Sequence, residues 1–246
     1  MLNDLQKAKA AFRGDSERDQ AIEAIALHHE RCVPNLLDIG AGDSTFALAL
    51  LSRLKYGQNG RLVAIDPTFQ QPIAQPDQSI KFLRIRIEDY EADQEFSCIN
   101  IRQCAYYFDD PIGSVDRIVR WLRPSGLLAV TLWTPDCIFY RLQAAILRAL
   151  GKVAPIIDAE SVCAGPAASG AIELAFAAIV PGRLDASAVM NNPEITDAIF
   201  KLAARKLDIS GFPAKDREEI VRTSLGAMTG PVYRVNEIRL YRRRPT

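Results

Sequence analysis

Histidine is almost absent from this chain: its 246 residues include only His28 and His29. Neighbouring positions on a helix point about 100° apart, so the two imidazoles cannot share a metal from one face. They are predicted to be surface and rim residues. With no histidine elsewhere, a Ser/His/Asp arrangement is excluded. Cysteine is sparse too. Cys32, Cys98, Cys104, Cys137 and Cys163 contain no C-x-x-C spacing and make an odd number, which predicts reduced thiols, no metal site and a cytoplasmic protein. No G-x-x-x-x-G-K loop occurs, so the P-loop nucleotide hydrolases are excluded.

Charge of one sign is also lacking. Thirty basic residues balance thirty acidic ones, which argues against a nucleic-acid partner. The basic run Arg239 to Arg244 is a local exception, read as a solvated edge and tail or as a contact for an anion. No apolar run reaches the roughly 18 residues that span a bilayer. The first twenty residues lack the apolar core of a secretory signal. A small molecule, with no membrane and no nucleic acid, is therefore the expected partner of a monomer or homodimer.

What is present is an alternation of short apolar runs and helical patterns. Leu36–Ile39, Arg61–Ile65, Lys81–Ile87, Phe96–Ile101 and Leu127–Trp133 read as strands, and 171–180 and 232–241 as two more. Helices are predicted from Asp15 or Ser16 to His29, from Thr45 toward Gly57, and over Ser114–Leu122, Ile138–Leu150 and Ala159–Ala168. One or two helices broken near Arg13-Gly14-Asp15 open the chain, and two more helical stretches precede the last strand. Strands separated by helices rather than hairpins imply an α/β domain with a Rossmann-like, mostly parallel sheet of about seven strands, helices on both faces and a helical lid. One domain is expected: residues 1–33 as a helical cap, 34–135 as the ligand-binding core, and 136–246 as a lid region with the closing strands.

The segment Leu36-Leu-Asp-Ile-Gly-Ala-Gly-Asp-Ser44 joins the first core strand to its helix. Gly40 and Gly42 allow a sharp turn and a close ligand approach, and the helix N-terminus is expected to offer unpaired amides. A dinucleotide site fits poorly, because Thr45 stands where a third glycine belongs and Asp38 lies inside the strand. A carboxylate there suits a ligand with an ammonium and a sulfonium better than a pyrophosphate. Asp66 ends the second strand, placed to accept ribose hydroxyls. Glu88 and Asp89 end the third, placed to accept an adenine amino group. Singly, Asp66 and Asp89 also fit a plainer role as caps of loops or helices.

This ordered series resembles that of the class I methyltransferases over residues 30 to 135. Asp38, Gly40 and Gly42 match their first motif, Asp66 the acid of the second strand, and Arg123-Pro-Ser-Gly126 the turn before the fifth. The resemblance implies S-adenosylmethionine as cofactor, bound by Asp38, Gly40, Gly42, Asp66, Glu88, Asp89 and Gln103. Over most of its length the chain is also similar, at low identity, to the histamine N-methyltransferase family. Gln103-Cys-Ala-Tyr-Tyr-Phe108 resembles that family's Gln-x-x-Tyr-Tyr segment. Asp43-Ser44 departs from that family's glycine-richer turn, which has small residues there. The likeness implies Glu23, Gln103 and Asn236 as the residues that bind the acceptor and serve transfer, with Tyr106, Tyr107, Phe108 and Trp133 as aromatic walls. Plainer roles fit the same residues: Glu23 an exposed helix acid, Tyr106 to Phe108 core packing, Asn236 a solvent-facing strand residue. The expectation is methylation of a nitrogen on a small amine or heterocycle. Methylation of a secondary-metabolite hydroxyl, or a non-catalytic cofactor-binding partner protein, are the alternatives.

Overall fold

A computed structural model of the protein describes residues 4, 7–8, 11–13, 16–54, 59–69, 79–153, 157–204, 207–227 and 233–245. In chain order the elements are β1 (Phe12–Arg13), α1 (Ser16–His28), β2 (Asn35–Ile39), α2 (Thr45–Leu54), β3 (Arg61–Ile65), β4 (Ile80–Leu83), β5 (Phe96–Arg102), α3 (Pro111–Arg120), β6 (Leu122–Trp133), α4 (Ile138–Ala149), α5 (Ala159–Ala168), β7 (Ile172–Leu184), α6 (Ala186–Asn191), α7 (Pro193–Ala204), α8 (Ala214–Gly226) and β8 (Tyr233–Arg243). They form two compact units, one of residues 18–132, 159–178 and 237–246, the other of 1–17, 133–158 and 179–236.

The first unit is built on the sheet. Its strands stand in the order β7-β8-β6-β5-β2-β3-β4, and the last strand of the chain runs antiparallel in this seven-stranded mixed sheet. β2 pairs in parallel with β3 and β5, β3 with β4, and β5 with β6. Almost every residue of β2, β3 and β5 is buried. Such burial on both faces demands unbroken apolar runs, and Leu36-Leu37, Leu62-Val-Ala-Ile65 and Cys98 to Ile101 supply them. Crossover helices return the chain to the same edge, so the carboxyl ends of β2, β3 and β5 lie side by side there.

The second unit is mainly helical. Leu142 and Ile146 of α4, Ile199 and Phe200 of α7, and Val221 and Leu225 of α8 are buried, and the three helices pack on one another. Each such side chain contributes about 1.5–3 kcal/mol when fully removed from water. Asp197 of α7 accepts both Lys201 and Arg217, each at 2.7 Å, which ties α7 to α8. No helix of the described residues is long and apolar enough to cross a membrane.

Several expectations need correction. Phe12 and Arg13 do not break a helix; they pair antiparallel with Leu184 and Arg183. The strand expected over Lys81–Ile87 stops at Leu83, and Ile87–Asp89 is a 3₁₀ turn. Arg117 of α3 holds that turn by donating to the carbonyls of Ile87 and Glu88. The turn expected at Arg123–Gly126 lies inside β6. The register jumps from Phe96↔Leu122 to Cys98↔Leu127, so the extra residues bulge out, with Ser125 at φ 61°. Three helices, α6 to α8, replace the two expected before the last strand. Of the caps expected for α1, Asp15 and the Ser16 side chain lie outside the described residues.

The terminal arginines are internal ties rather than a free basic tail. Arg242 donates to the carbonyls of His28 (2.8 Å) and Ser125 (3.1 Å), and Arg243 to those of Leu122 and Arg120. Arg239 binds Glu160 and Glu237, and Arg244 binds Glu173. His29, expected at the surface, is buried with Nε2 3.0 Å from Ser97 Oγ. Desolvation holds its pKa below the usual value.

Candidate functional site

The turn after β2 is pinned from one side by the end of β3. Gly40 N and Ala41 N both donate to the Ile65 carbonyl, at 2.9 and 3.2 Å. Gly42 N donates to Asp66 Oδ2 at 2.9 Å. Ser44 N donates to the Ala41 carbonyl, and Thr45 N to Asp43 Oδ1. The amides expected to await a ligand are therefore engaged within the protein. The turn holds three left-handed residues: Gly40 (φ 69°), Gly42 (φ 57°) and Ser44 (φ 62°). Left-handed backbone costs a non-glycine residue about 1–2 kcal/mol, so Ser44, at φ 62°, carries strain.

The two glycines differ in purpose. A Cβ on Gly40 would lie 2.3 Å from Cys104 Cβ, whereas one on Gly42 would meet nothing within 4 Å. Gly40 is small because Cys104 packs against it, with the thiol donating to the Ile39 carbonyl at 3.0 Å. Gly42 borders open space, as a ligand-facing position must.

Asp38 and Asn100 are opposite one another on β2 and β5. Asn100 Nδ2 donates to Asp38 Oδ1 at 2.6 Å, and both residues are buried. Burial pushes the Asp38 carboxyl up to about 7; Asn100 and Arg102 oppose the rise and Asp66 adds to it. Asp66 itself is buried. Besides holding Gly42, it accepts from Thr68 N (2.7 Å) and Thr68 Oγ1 (2.5 Å). Among the described residues, Ser44 Oγ and Asn100 Oδ1 are buried without a hydrogen-bond partner.

The structure thus brings Asp38, Gly40, Gly42 and Asp66 together. Glu88 is occupied elsewhere: it accepts from Asp109 N at 2.7 Å and pairs with Arg86 at 3.3 Å, while Asp89 is exposed in its 3₁₀ turn. Gln103 follows β5 in the left-handed region (φ 56°), with its amide bound to the Thr131 carbonyl at 2.9 Å. The 3₁₀ turn Ala105–Tyr107 comes next, with Tyr106 and Phe108 buried and Tyr107 partly exposed. In the helical unit, Trp133 stacks on Phe139 at 4.8 Å. Asn236 is buried on β8 rather than solvent-facing.

Glu23 does not reach the turn. Its carboxylate binds Arg53 at 2.8 and 2.9 Å, and Arg53 lies eight residues along α2 from Thr45, about 12 Å at 1.5 Å per residue. The reason lies in the faces of α1. Gln20, Glu23 and Leu27 form its exposed stripe, whereas Glu17, Ala21 and Ile25 are buried. The buried acid of this helix is Glu17, and its i, i+4 spacing with Ala21 and Ile25 was the available signal. Asn100, Arg102 and Cys104 were also missed, because each acts through a neighbour distant in sequence.

A family described as "Methyltransferase domain" matches residues 8–163. No curated protein matches the chain. Among solved structures, the YcgJ protein of Bacillus subtilis is 18% identical, with a TM-score of 0.61 over 93% of this chain and 100% of that one. The N-methyltransferase NodS of Bradyrhizobium japonicum WM9, in complex with S-adenosyl-L-homocysteine, is 17% identical, with a TM-score of 0.51 over 98% of both chains. The [4+2]-cyclase SpnF is 16% identical, with a TM-score of 0.55 over 93% of this chain and 81% of that one.

The residues fit S-adenosylmethionine. Gly42 leaves room beside the turn, the unpartnered Ser44 hydroxyl offers a polar contact, and Asp38 suits a cation. Asp66 Oδ2, which among the described residues accepts only from Gly42 N, keeps one acceptor position for a ribose hydroxyl. A pH dependence follows. Asp38 keeps its proton up to about pH 7 in the folded chain, against its usual 3.8. Its contribution to stability is therefore fully present below about pH 4 and is lost as pH rises through about 7. A cationic ligand favours the ionised form, so affinity should move the other way. Calorimetry should find cofactor affinity roughly tenfold higher at pH 8 than at pH 6, with proton release on binding and no such trend in Asp38→Asn. Equal affinities in the wild type would remove Asp38 from the cation site. The family match spans the turn and every acid around it, and on that ground the chain belongs to the class I S-adenosylmethionine-dependent methyltransferases.

Proposed function

We propose that the protein methylates a nitrogen of a small amine- or heterocycle-containing metabolite, with Gln103 orienting the acceptor. The observation that carries this reading is the position of the histidines. His29 is held by Ser97 at the start of β5, whereas Gln103 follows its end. Gln103 lies six residue steps along the strand from Ser97, about 20 Å at 3.3 Å per residue. The chain has no other imidazole than that of neighbouring His28, so none serves as a base at the carboxyl edge. A hydroxyl acceptor needs its proton removed before attack, whereas a neutral amine already offers a lone pair.

The cofactor supplies a methyl group on a sulfonium, the electrophile of an in-line displacement. The protein's part is alignment and exclusion of water. A carboxamide both donates and accepts, so Gln103 can hold a polar nitrogen ligand in one orientation. Tyr106 and Tyr107 follow three and four residues on, in the next turn, and are proposed as flat apolar walls. The N-methyltransferase activity named for NodS agrees with this reading, and so does the resemblance of Gln103–Phe108 to the histamine N-methyltransferase segment. Asn236 is proposed as a second acceptor residue; Glu23, committed to Arg53, is not.

Labelled S-adenosylmethionine incubated with a panel of amines, heterocycles and phenols tests the acceptor class. Nitrogen-methylated product is expected; exclusive labelling of phenols would overturn the reading. With the substrate found, Gln103→Ala or Asn236→Ala should lower kcat/KM roughly 10- to 1,000-fold, about 1.4–4 kcal/mol of lost orientation. Cofactor affinity should stay within about threefold. Unchanged turnover in either variant would remove that residue from the acceptor site.

A further inference from the structure

Thr131 lies on β6 opposite Arg102, and Ala129 lies opposite Asn100, which itself stands opposite Asp38. Side chains alternate between the faces of a sheet, so Thr131 shares a face with Asn100 and Asp38. It is 1% exposed. Among the described residues its hydroxyl has no hydrogen-bond partner, and neither has Asn100 Oδ1 on the adjacent strand. Valine would fill nearly the same space with no polar atom to satisfy. A buried hydroxyl left unpaired costs stability, and native interiors rarely keep one without a use.

A second cost sits at the same place. Gln103 is held in the left-handed region at φ 56°, which is unfavourable for any residue with a Cβ. Its amide donates to the Thr131 carbonyl at 2.9 Å. Strain of this kind collects where ligands bind. Arg102 and Gln103 keep part of their surfaces open, so the hydroxyl lies just beneath the open edge. Its strand separates it from the cofactor turn. That turn follows β2 and is pinned by the end of β3, whereas β6 lies on the far side of β5, about 10 Å from β2 at 4.8 Å per strand. A ligand group at Thr131 therefore belongs to the molecule that meets the cofactor from the β5–β6 side.

We propose that Thr131 hydrogen-bonds the methyl acceptor through its side-chain hydroxyl, next to Gln103. The assignment rests on the reading of Gln103 above and adds a group that both donates and accepts. It narrows the acceptor to a molecule with a second polar atom besides the nitrogen that receives the methyl group.

The test uses the compound that the wild type methylates fastest in the labelled panel, which should carry a second nitrogen or oxygen. Thr131→Val should lower kcat/KM for it about tenfold or more and leave affinity for S-adenosylmethionine within about threefold. It should also melt at or above the wild-type temperature, because it deletes an unpaired hydroxyl. Thr131→Ser keeps the hydroxyl and should retain kcat/KM within about threefold. Thr131→Ala lacks it and should repeat the loss, which keeps the test intact should the valine variant fail to fold. Unchanged turnover in Thr131→Val, an equal loss in Thr131→Ser, or a fastest compound with a single polar atom overturns the proposal. So does a Thr131→Val variant that melts about 5 °C or more below the wild type, since the hydroxyl would then be paired within the protein. Turnover lost in Gln103→Ala but kept in Thr131→Val defeats this assignment and spares that of Gln103. A panel without any methylated nitrogen defeats the acceptor reading, and this assignment with it.

Discussion

Replacing Gly40 with alanine is expected to destabilise the protein by about 2–5 kcal/mol and to abolish cofactor binding. Left-handed backbone at φ 69° costs alanine about 1–2 kcal/mol. Overlap with Cys104 at 2.3 Å adds about 1–3 kcal/mol of overpacking. For a chain of this size the sum lowers Tm by about 5–15 °C. Gly42→Ala is the control, because its new methyl group would meet no protein atom within 4 Å. It should melt closer to the wild type while still losing cofactor affinity, since that methyl group enters the ligand's space. Pairing Gly40→Ala with Cys104→Gly should recover the overlap part of the loss and leave the backbone part. Should Gly40→Ala melt within about 2 °C of the wild type, the contact with Cys104 would not be what demands glycine there.

Asp66→Ala is expected to weaken cofactor binding by two orders of magnitude or more. Two effects combine. Hydrogen bonds to a charged group contribute about 1.5–3 kcal/mol each, and the ribose would lose its carboxylate. The turn would also lose its anchor, since Asp66 accepts from Gly42 N, Thr68 N and Thr68 Oγ1. Thermal stability should fall alongside affinity, in contrast to a residue that only touches ligand. Asp66→Asn retains one acceptor oxygen and should lie between. Calorimetry returning wild-type affinity for Asp66→Ala, together with a lowered Tm, would make Asp66 a structural clamp with no ribose contact.

The likeness to SpnF, named a cyclase, shows this fold in a protein named for another reaction, and fold alone does not establish chemistry. On the proposed reading the acceptor side separates such outcomes, so the Gln103 and Asn236 substitutions test the reaction more directly than any change at the glycine turn.

Much of the molecule was legible in the amino-acid sequence for a local reason. The unbroken apolar runs of β2, β3 and β5, the helical period of α2 and α4, and the pairing of Gly40 with Gly42 are properties of adjacent residues. Together with Asp38 and Asp66 at successive strand ends, they determined an α/β sheet with a ligand turn at its carboxyl edge. Only the tertiary structure decided what meets that turn. Glu17 is buried and Glu23 exposed because packing selects one face of α1, and the apolar Leu27 on the outer stripe disguised which face it is. Cys104 requires glycine at position 40, Asn100 holds Asp38, Phe46 supports Arg102, and Arg117 ends the strand pattern at Ile87–Asp89. Each of these pairs joins residues roughly thirty to sixty-five positions apart. Register and helix placement fix such long-range contacts, and no periodicity in a short window encodes them.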